Sequence, residues 1–413
     1  MRIVYISKYI ILPEFGPPTR HYFLSKGLTR IENSQVMLIG SRSTLGRVPE
    51  FNGLFLSRNE GDVEMVTLNG PHVTAGFNKK RLWSWVIFEK NLYRFREYIK
   101  RFKPDVVVVS SLSILTFLTG IFLKKWLKVP LVLEVRDIYP LTLVEVGNYK
   151  KYHPAVSFLG MVEKWGYKNA DLVLSTLPNA KEHIEAVKGS PVKFKYIPMG
   201  VELSFFEDPA PVDPAVIREN EGEFWIGYAG TLGTANALDT LFETARELEN
   251  SHPKIKFAFI GDGPLKDHYM KEYGGLSNIK FIPSVAKKDL QSYLVQMDLL
   301  VNTWLNKSIY RFGISPNKWM DYMLSARPIL VAFSGHPCII DAADCGKFVE
   351  AESLESLKEG ILEFYYMDKK ELDAMGKRGR EYLLNNLEYG KLSEEFFNAL
   401  KSIKEESKSL VHE

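Results

Sequence analysis

The sequence predicts an α/β protein of two doubly wound domains, each a parallel sheet covered by helices on both faces. Three observations carry this expectation. The chain has 413 residues, too many for one ordinary core. Short continuous apolar runs alternate with helical patterns, as strands buried on both faces require. The alternation then starts afresh after "EDPAPVDPAVIRENEGE" at 207–223. The expected division is residues 1–200 and 201–390 as two Rossmann-like domains, with 391–413 a C-terminal helix packing back toward the first.

In the first half, a strand at 2–6 leads through "SKYIILPEFGPPTR" into a helix at about 20–30. "QVMLIG", "DVVVVS", "PLVLEV", "DLVLST" and "KFKYIP" then read as strands. "LSILTFLTGIFL" at 112–123 is too short to span a bilayer and ends in Lys124 and Lys125, so it reads as a buried helix. In the second half, "FWIGYAG" at 224–230 leads through "TLGT" into a helix with Ala237, Leu238, Leu241, Phe242, Ala245 and Leu248 on one face. "KFAFIG", "IKFI", "DLLVNT" and "PILVAF" supply its further strands.

A hydrophobic content of 46% and a charged content of 25% belong to a soluble globular chain. "MRIVYIS" enters a strand directly, with no signal peptide ahead of it, which predicts a cytoplasmic protein. Two cysteines, Cys338 and Cys345, offer neither a disulfide framework nor a zinc pattern, and the eight histidines form no HExxH. No metal and no cofactor are therefore expected. Charge divides unevenly: residues 1–200 hold 29 Lys and Arg against 16 Asp and Glu, residues 201–413 hold 24 against 34. The first half thus predicts an anionic partner, nucleic acid or a membrane surface. No RNA- or DNA-binding module is recognisable, so nucleic acid is set aside. The densest basic segment, "KKRLWSWVIFEKNLYRFREYIKRFK" at 79–103, has nine basic and two acidic residues among aromatics. It reads either as an interfacial amphipathic helix or as a core helix with a solvated basic face.

"GISPNKWMDY" at 313–322 is the most suggestive short stretch. Trp319, Tyr322, Met323 and Ala326 commit one helical face to a core. Ser315 reads as the cap and Pro316 as the first turn. Lys318 and Asp321 are then expected to share the face turned away from the core, near free N–H groups suited to phosphate. The plain alternative is a capped surface helix with an ordinary ion pair. "AGTLGT" (229–234) and "GDGP" (261–264) are further loops at strand ends, where open α/β sheets bind ligands. None has the G-x-G-x-x-G or Walker spacing, which argues against hydride transfer and P-loop hydrolysis.

Taken in order, these stretches resemble the family 4 glycosyltransferases, retaining enzymes of the GT-B fold. The likeness is closest to the branch adding sugars, often N-acetylated amino sugars, to bacterial polysaccharide precursors. "EFGPPTRHYFLSKGL" is similar to the family's glycine loop and first helix, "LEVRDIYP" to its acceptor and catalytic loop, and "YIPMGVELSFF" to its hinge. "YAGTLGTANALDTLFETARELE", "FAFIGDGPLKDHY" and "SPNKWMDYMLSARPILV" are similar to its donor motifs. The resemblance implies Arg136 and Asp137 as catalytic, and Gly16 and Arg20 as an acceptor or phosphate loop. It implies a donor site of Gly230, Thr231, Leu232, Gly233, Gly261, Asp262, Gly263, Arg311, Ser315, Lys318 and Asp321, with "IPSVAKKDL" near 282–290 flanking the base.

The chain departs from the family pattern at four places. Gly313 and Asp321 stand where many members have two glutamates, Thr231 replaces an Arg, Met199 an Asn, and Arg136 a His. Lys318 or Arg311 is expected to compensate for the Arg. Asp137 has a second reading, a loop carboxylate paired with Arg136 for structure. The resemblance implies metal-free transfer from a nucleotide-sugar donor, UDP-linked, to a glycan or lipid-linked acceptor at an anionic membrane surface. A sugar-nucleotide 2-epimerase of the same architecture and a non-catalytic two-lobed binding protein are the alternatives. The oligomeric state is left open.

Overall fold

Eight strands form the first sheet and six the second. The structure, a computed structural model, describes residues 1–412 except 14–15, 17–18, 44–47, 74–78, 208, 213–219 and 221, with side chains described through Ser409. The glycine loop around Gly16 and most of the stretch 207–223 thus lie outside the described residues. Two compact units result: Met1–Pro198 with Tyr389–Glu413, and Met199–Glu388.

The first unit runs β1 (Arg2–Ile6), α1 (Arg20–Thr29), β2 (Gln35–Ser41), β3 (Phe55–Glu60), β4 (Val63–Leu68), α2 (Lys79–Phe102) and β5 (Val106–Ser110). It continues with α3 (Thr116–Leu127), β6 (Leu131–Val135), α4 (Leu141–Glu145), α5 (Pro154–Asn169), β7 (Leu172–Ser175), α6 (Ala180–Lys188) and β8 (Phe194–Tyr196). Its strands lie in the order β3-β4-β2-β1-β5-β6-β7-β8. All pairings are parallel except β3 with β4. That antiparallel edge hairpin corrects the wholly parallel expectation. Gly61 turns the chain between the two strands at φ +62°.

Strand residues alternate between two cores. Ile3, Tyr5, Val106, Val108 and Val132 meet α1 and the C-terminal helix. On the opposite face, a Cβ at Gly120 of α3 would press within 3.2 Å of Val109 and Leu131. A Cβ at Gly166 of α5 would stand 2.3 Å from the Phe117 ring of α3. α3 itself corrects the expectation of a buried helix: Phe117, Gly120 and Leu123 are buried, while Ile121, Phe122 and Trp126 stay half-exposed.

The second unit runs β9 (Phe224–Ala229), α7 (Asp239–Ser251), β10 (Ile255–Ile260), α8 (Lys266–Tyr273), β11 (Ile279–Ile282), α9 (Leu290–Leu294) and β12 (Leu299–Thr303). α10 (Asn317–Leu324), β13 (Ile329–Ala332), α11 (Ile339–Ala342), β14 (Gly346–Val349), α12 (Leu354–Tyr366) and α13 (Lys369–Asn386) complete it. Its parallel sheet has the order β11-β10-β9-β12-β13-β14. Strand order reverses at β9, so the crevice beyond β9 and β12 is the natural ligand position. α14 (Tyr389–His412) belongs to the first unit, where Tyr389 stacks on Phe23 at 5.2 Å. Among the described residues no helix is long and apolar enough to cross a membrane.

Candidate functional site

In the second unit, β9 ends at Ala229, and Gly230 follows with φ +151°, a conformation that favours glycine. β10 ends likewise in Gly261, at φ +149°. A Cβ on Gly261 would stand 2.0 Å from the Gly230 carbonyl oxygen, and one on Gly263 2.2 Å from that of Leu232. The two loops therefore close on each other, backbone against backbone. The Leu232 N–H donates to Asp262 O at 2.9 Å, and the Leu265 N–H to Leu232 O at 3.0 Å.

This locking corrects two expectations. The Leu232 N–H is consumed between loops and its side chain is core, so Leu232 does not offer an amide to a donor. No long helix starts at 231–234 either: a single 3-10 turn covers Thr234–Asn236, Ala237 takes φ +44°, and α7 begins at Asp239. Thr231 is exposed, and its carbonyl accepts from the Tyr228 hydroxyl and the Asn236 amide. Gly233 is buried. Asp262 is exposed and accepts from the Gly263 N–H at 2.8 Å.

α10 brings the polar residues in. Its buried face is pinned by Trp319, whose indole donates to Asn302 Oδ1 at 3.0 Å, and by Tyr322, whose hydroxyl accepts from the Ala229 N–H at 2.8 Å. Lys318 then reaches the end of β9. Its Nζ lies 2.9 Å from Asn236 Oδ1 and 3.1 Å from Tyr228 Oη, 4.5 Å above the Tyr228 ring. Both partners are neutral. The residue as a whole is half-buried, and the protein packed around the ammonium pushes its pKa down to about 7. Asn236 and Tyr228 were not singled out in the sequence; a tyrosine in an otherwise apolar strand was the available signal.

Lys318 and Asp321 do not share a solvent-facing surface. Asp321 is only 3% exposed and pairs with Lys287 from the "IPSVAKKDL" segment. Burial raises its pKa and Lys287 opposes the rise. Its Oδ1 has no hydrogen-bond partner among the described residues. The helix is buried on every side from Trp319 to Leu324, which leaves Asp321 no solvent face, and the Gln291 amide of α9 donates to Asp321 O at 3.0 Å. Ser315 is not the cap. Pro316 holds that position, and Ser315 Oγ instead accepts from the Met199 N–H at 3.4 Å. Arg311 is exposed, its guanidinium donating to Ser308 O and lying 4.2 Å over Phe312.

In the first unit, Arg20 is turned into the protein. It is 3% exposed, donates to Glu134 Oε1 and to Ile197 O at 3.0 Å each, and also to Pro198 O. All three guanidinium nitrogens are engaged, by a buried carboxylate and by the chain's exit from this unit, which fixes the side chain inward. Burial pushes His21 down, leaving a neutral imidazole whose Nε2 stands 3.3 Å from Glu134 Oε2. Burial also raises Glu134, but His21, Arg20 and Arg136 outweigh it and hold the carboxyl well below its usual range. Gly16 takes φ +141°.

Arg136 and Asp137 follow β6. Ser111, beyond β5, accepts their N–H groups at 2.9 and 3.3 Å and donates to Asp137 O, which fixes the turn. Asp137 is exposed and Arg136 half-buried. Sequence reasoning missed a neighbouring group. Lys8, fully buried after β1, has no hydrogen-bond partner among the described residues and lies 4.4 Å over the Tyr9 ring. Tyr9 Oη accepts from Arg81 at 3.2 Å and Trp85 at 2.8 Å. Burial and Arg81 push Lys8 down to about 7. Among the described residues no group of three His, Cys, Asp or Glu side chains forms a metal site.

Two family models match the chain. One, described as a glycosyl transferase 4-like domain, covers residues 56–200, and the other, glycosyl transferases group 1, covers 223–366. The chain belongs to the family 4 glycosyltransferases. Among curated proteins it is 25% identical over 260 residues to the probable glycosyltransferase WbjE of Pseudomonas aeruginosa, across 61% of this chain and 64% of that protein. It therefore covers less than two thirds of that relative's length. Among solved structures, a sucrose-phosphate synthase from Thermosynechococcus elongatus matches with TM-score 0.74 at 15% identity, over 97% of this chain and 98% of the other. Anabaena Alr3699/HepE, solved in complex with UDP and glucose, matches with TM-score 0.64 at 14% identity, over 97% and 100%. The fold of this glycosyltransferase-family chain is GT-B.

Proposed function

We propose that the chain is a retaining glycosyltransferase, moving a hexosyl or N-acetylhexosaminyl group from a UDP-linked sugar to a polysaccharide precursor or lipid-linked oligosaccharide. The observation that carries this reading is Lys318. A cation with neutral partners, set against the bare face of Gly230 at the strand-order reversal, fits the diphosphate of a sugar nucleotide. Family membership supports the reaction class, and the UDP held by Alr3699/HepE supports the nucleotide. It does not favour the epimerase or the non-catalytic binding protein.

In this reading Lys318 stabilises the charge that develops on the leaving diphosphate, without a metal. Arg311 adds an exposed cation. Asp321 accepts from the ribose diol once the Lys287 side chain, the more exposed of the pair, turns aside. Arg136 and Asp137 act on the transferred sugar or the acceptor. Retention needs positioning on one face more than a protein nucleophile, which suits a site with so few ionisable side chains. The acceptor, a capsule or lipopolysaccharide precursor on its lipid carrier, places the enzyme peripherally on the cytoplasmic face of a membrane.

Thermal stabilisation across a panel of sugar nucleotides tests the donor assignment, since a ligand bound only by the folded state raises Tm. Stabilisation by UDP-sugars, followed by an NMR-assigned product with the donor's anomeric configuration, is the expected result. An inverted product excludes retention, and stabilisation by no UDP compound excludes the donor.

A further inference from the structure

α5 is apolar on both sides. Its inner face buries Val156, Leu159, Val162 and Tyr167. The outward face presents Phe158 at 47%, Met161 at 63% and Trp165 at 62% exposure, one above another at i, i+3 and i+7. A solvent-facing helix ordinarily turns polar side chains to water, so three consecutive large apolar groups on that face need a partner. Tyr152, in the loop just before the helix, is 88% exposed.

The stripe is not isolated. α3 packs against both α5 and α2 on the sheet face opposite α1 and α14, and its Phe122 and Trp126 are half-exposed. Phe122 contacts Tyr93 of α2 at 5.5 Å and stacks on Trp126 at 5.7 Å. Lys164 and Lys168 flank the α5 stripe, Lys125 ends α3, and Lys90 and Arg94 stand exposed on α2. Among the described residues of these three helices, Glu97 is the one exposed carboxylate, and it lies 3.8 Å from Arg96. Glu163 is turned inward, against His183 and Tyr167.

We propose that the outer face of α5, with the adjoining α3 and α2 surface, is where this protein inserts into an anionic lipid bilayer. Phe158, Met161 and Trp165 enter the boundary between headgroups and acyl chains. The lysines, whose long stems reach upward from an apolar surface, pair with lipid phosphates. A second copy of the chain is the poorer occupant: a two-fold contact through this face sets its lysines against their own copies, whereas anionic lipid neutralises them. This inference rests on the membrane placement proposed above and adds the surface that performs it. Charge alone had pointed to the basic segment of α2; the anchor assigned here is an apolar one on a different helix.

The test is sedimentation of the full chain with phosphatidylglycerol/phosphatidylcholine vesicles and with phosphatidylcholine alone. A combined Phe158→Ser, Met161→Ser and Trp165→Ser variant keeps every charge and is expected to lose about tenfold or more of its partitioning into the anionic vesicles, with unchanged Tm. Should it fold poorly, quenching by bromine-labelled lipids provides the second readout: tryptophan emission is quenched in wild type, and clearly less in Trp165→Phe. Equal partitioning of variant and wild type, or equal quenching, overturns the α5 anchor while leaving a charge-only membrane attachment in place. Wild-type protein that ignores anionic vesicles overturns both. A dimer in solution that the triple variant converts to monomer, with no change at the vesicle, assigns the face to a second copy instead.

Discussion

A Cβ at Gly230 would stand 3.2 Å from the Lys318 ammonium, so the lysine reaches the end of β9 because that position is bare. Lys318→Met therefore should weaken UDP binding by the worth of a charged hydrogen bond, about 1.5–3 kcal/mol, or about 10- to 150-fold in Kd. Gly230→Ala should produce a similar loss by displacing the ammonium, together with a lower Tm from the strained φ of +151°. Calorimetric titration of each purified variant with UDP reads both effects.

The titration of Lys318 has two opposite consequences. Its folded pKa of about 7 lies below the unfolded value of about 10.4, so between them the unfolded chain binds more protons and this group's contribution to stability rises with pH. A diphosphate prefers the protonated amine. UDP affinity should then fall as pH rises above 7, with proton uptake on binding, visible as a dependence of the titration heat on buffer ionisation enthalpy. In Lys318→Met both trends should shrink.

Asp321 and Lys287 should separate stability from binding. Asp321→Ala removes a buried carboxylate and leaves a lysine that can reach water, so the fold should survive while the donor KM rises about tenfold or more. Lys287→Ala strands the carboxylate inside and should lower stability by about 1–3 kcal/mol. In the double variant the two losses should fall short of their sum, measured by urea unfolding.

Arg20→Ala should behave as a folding variant, with a stability loss of about 3–5 kcal/mol from the uncompensated Glu134 carboxylate and the freed carbonyls of Ile197 and Pro198. Arg20→Lys should recover little, since an ammonium cannot serve a carboxylate and two carbonyls in the guanidinium's geometry. Glu134 adds an acid dependence: its folded pKa is depressed, so its contribution is present above the unfolded carboxyl value and is lost as pH falls through and below that value. Glu134→Gln should flatten that part of the stability profile.

Sugar transfer should persist in EDTA, because Lys318 and Arg311 carry the leaving-group charge in this reading. Activity that disappears with chelation and returns with Mg²⁺ or Mn²⁺ would refute that assignment.

Legibility differed by kind of feature. The strands around both reversal points were readable because each is a short apolar run, such as "VVVVS" of β5, bounded by turn residues. The β3–β4 hairpin was not, since its outer strand is mostly exposed and only its first two residues are apolar. At the site, Lys318 and Asp321 stood out by residue type, but their partners come from sequence positions far away: Asn236 and Tyr228 for one, Lys287 for the other. Arg20 looked like a phosphate ligand because it follows a glycine loop. Its burial depends on Glu134 and on backbone at 197–198, long-range contacts that local spacing does not encode. The α5 stripe was hidden for the opposite reason: Phe158, Met161 and Trp165 have the composition of core residues, and only the packed fold turns them outward.

The central claim is that a nucleotide diphosphate sits on Lys318 at the end of β9. Calorimetric titration of UDP into wild type and a folded Lys318→Met variant, in parallel at pH 7, tests it most directly. Saturable binding to wild type and a loss of about tenfold or more in the variant are expected. Equal affinity in the two proteins, or no heat of binding to wild type, would contradict it.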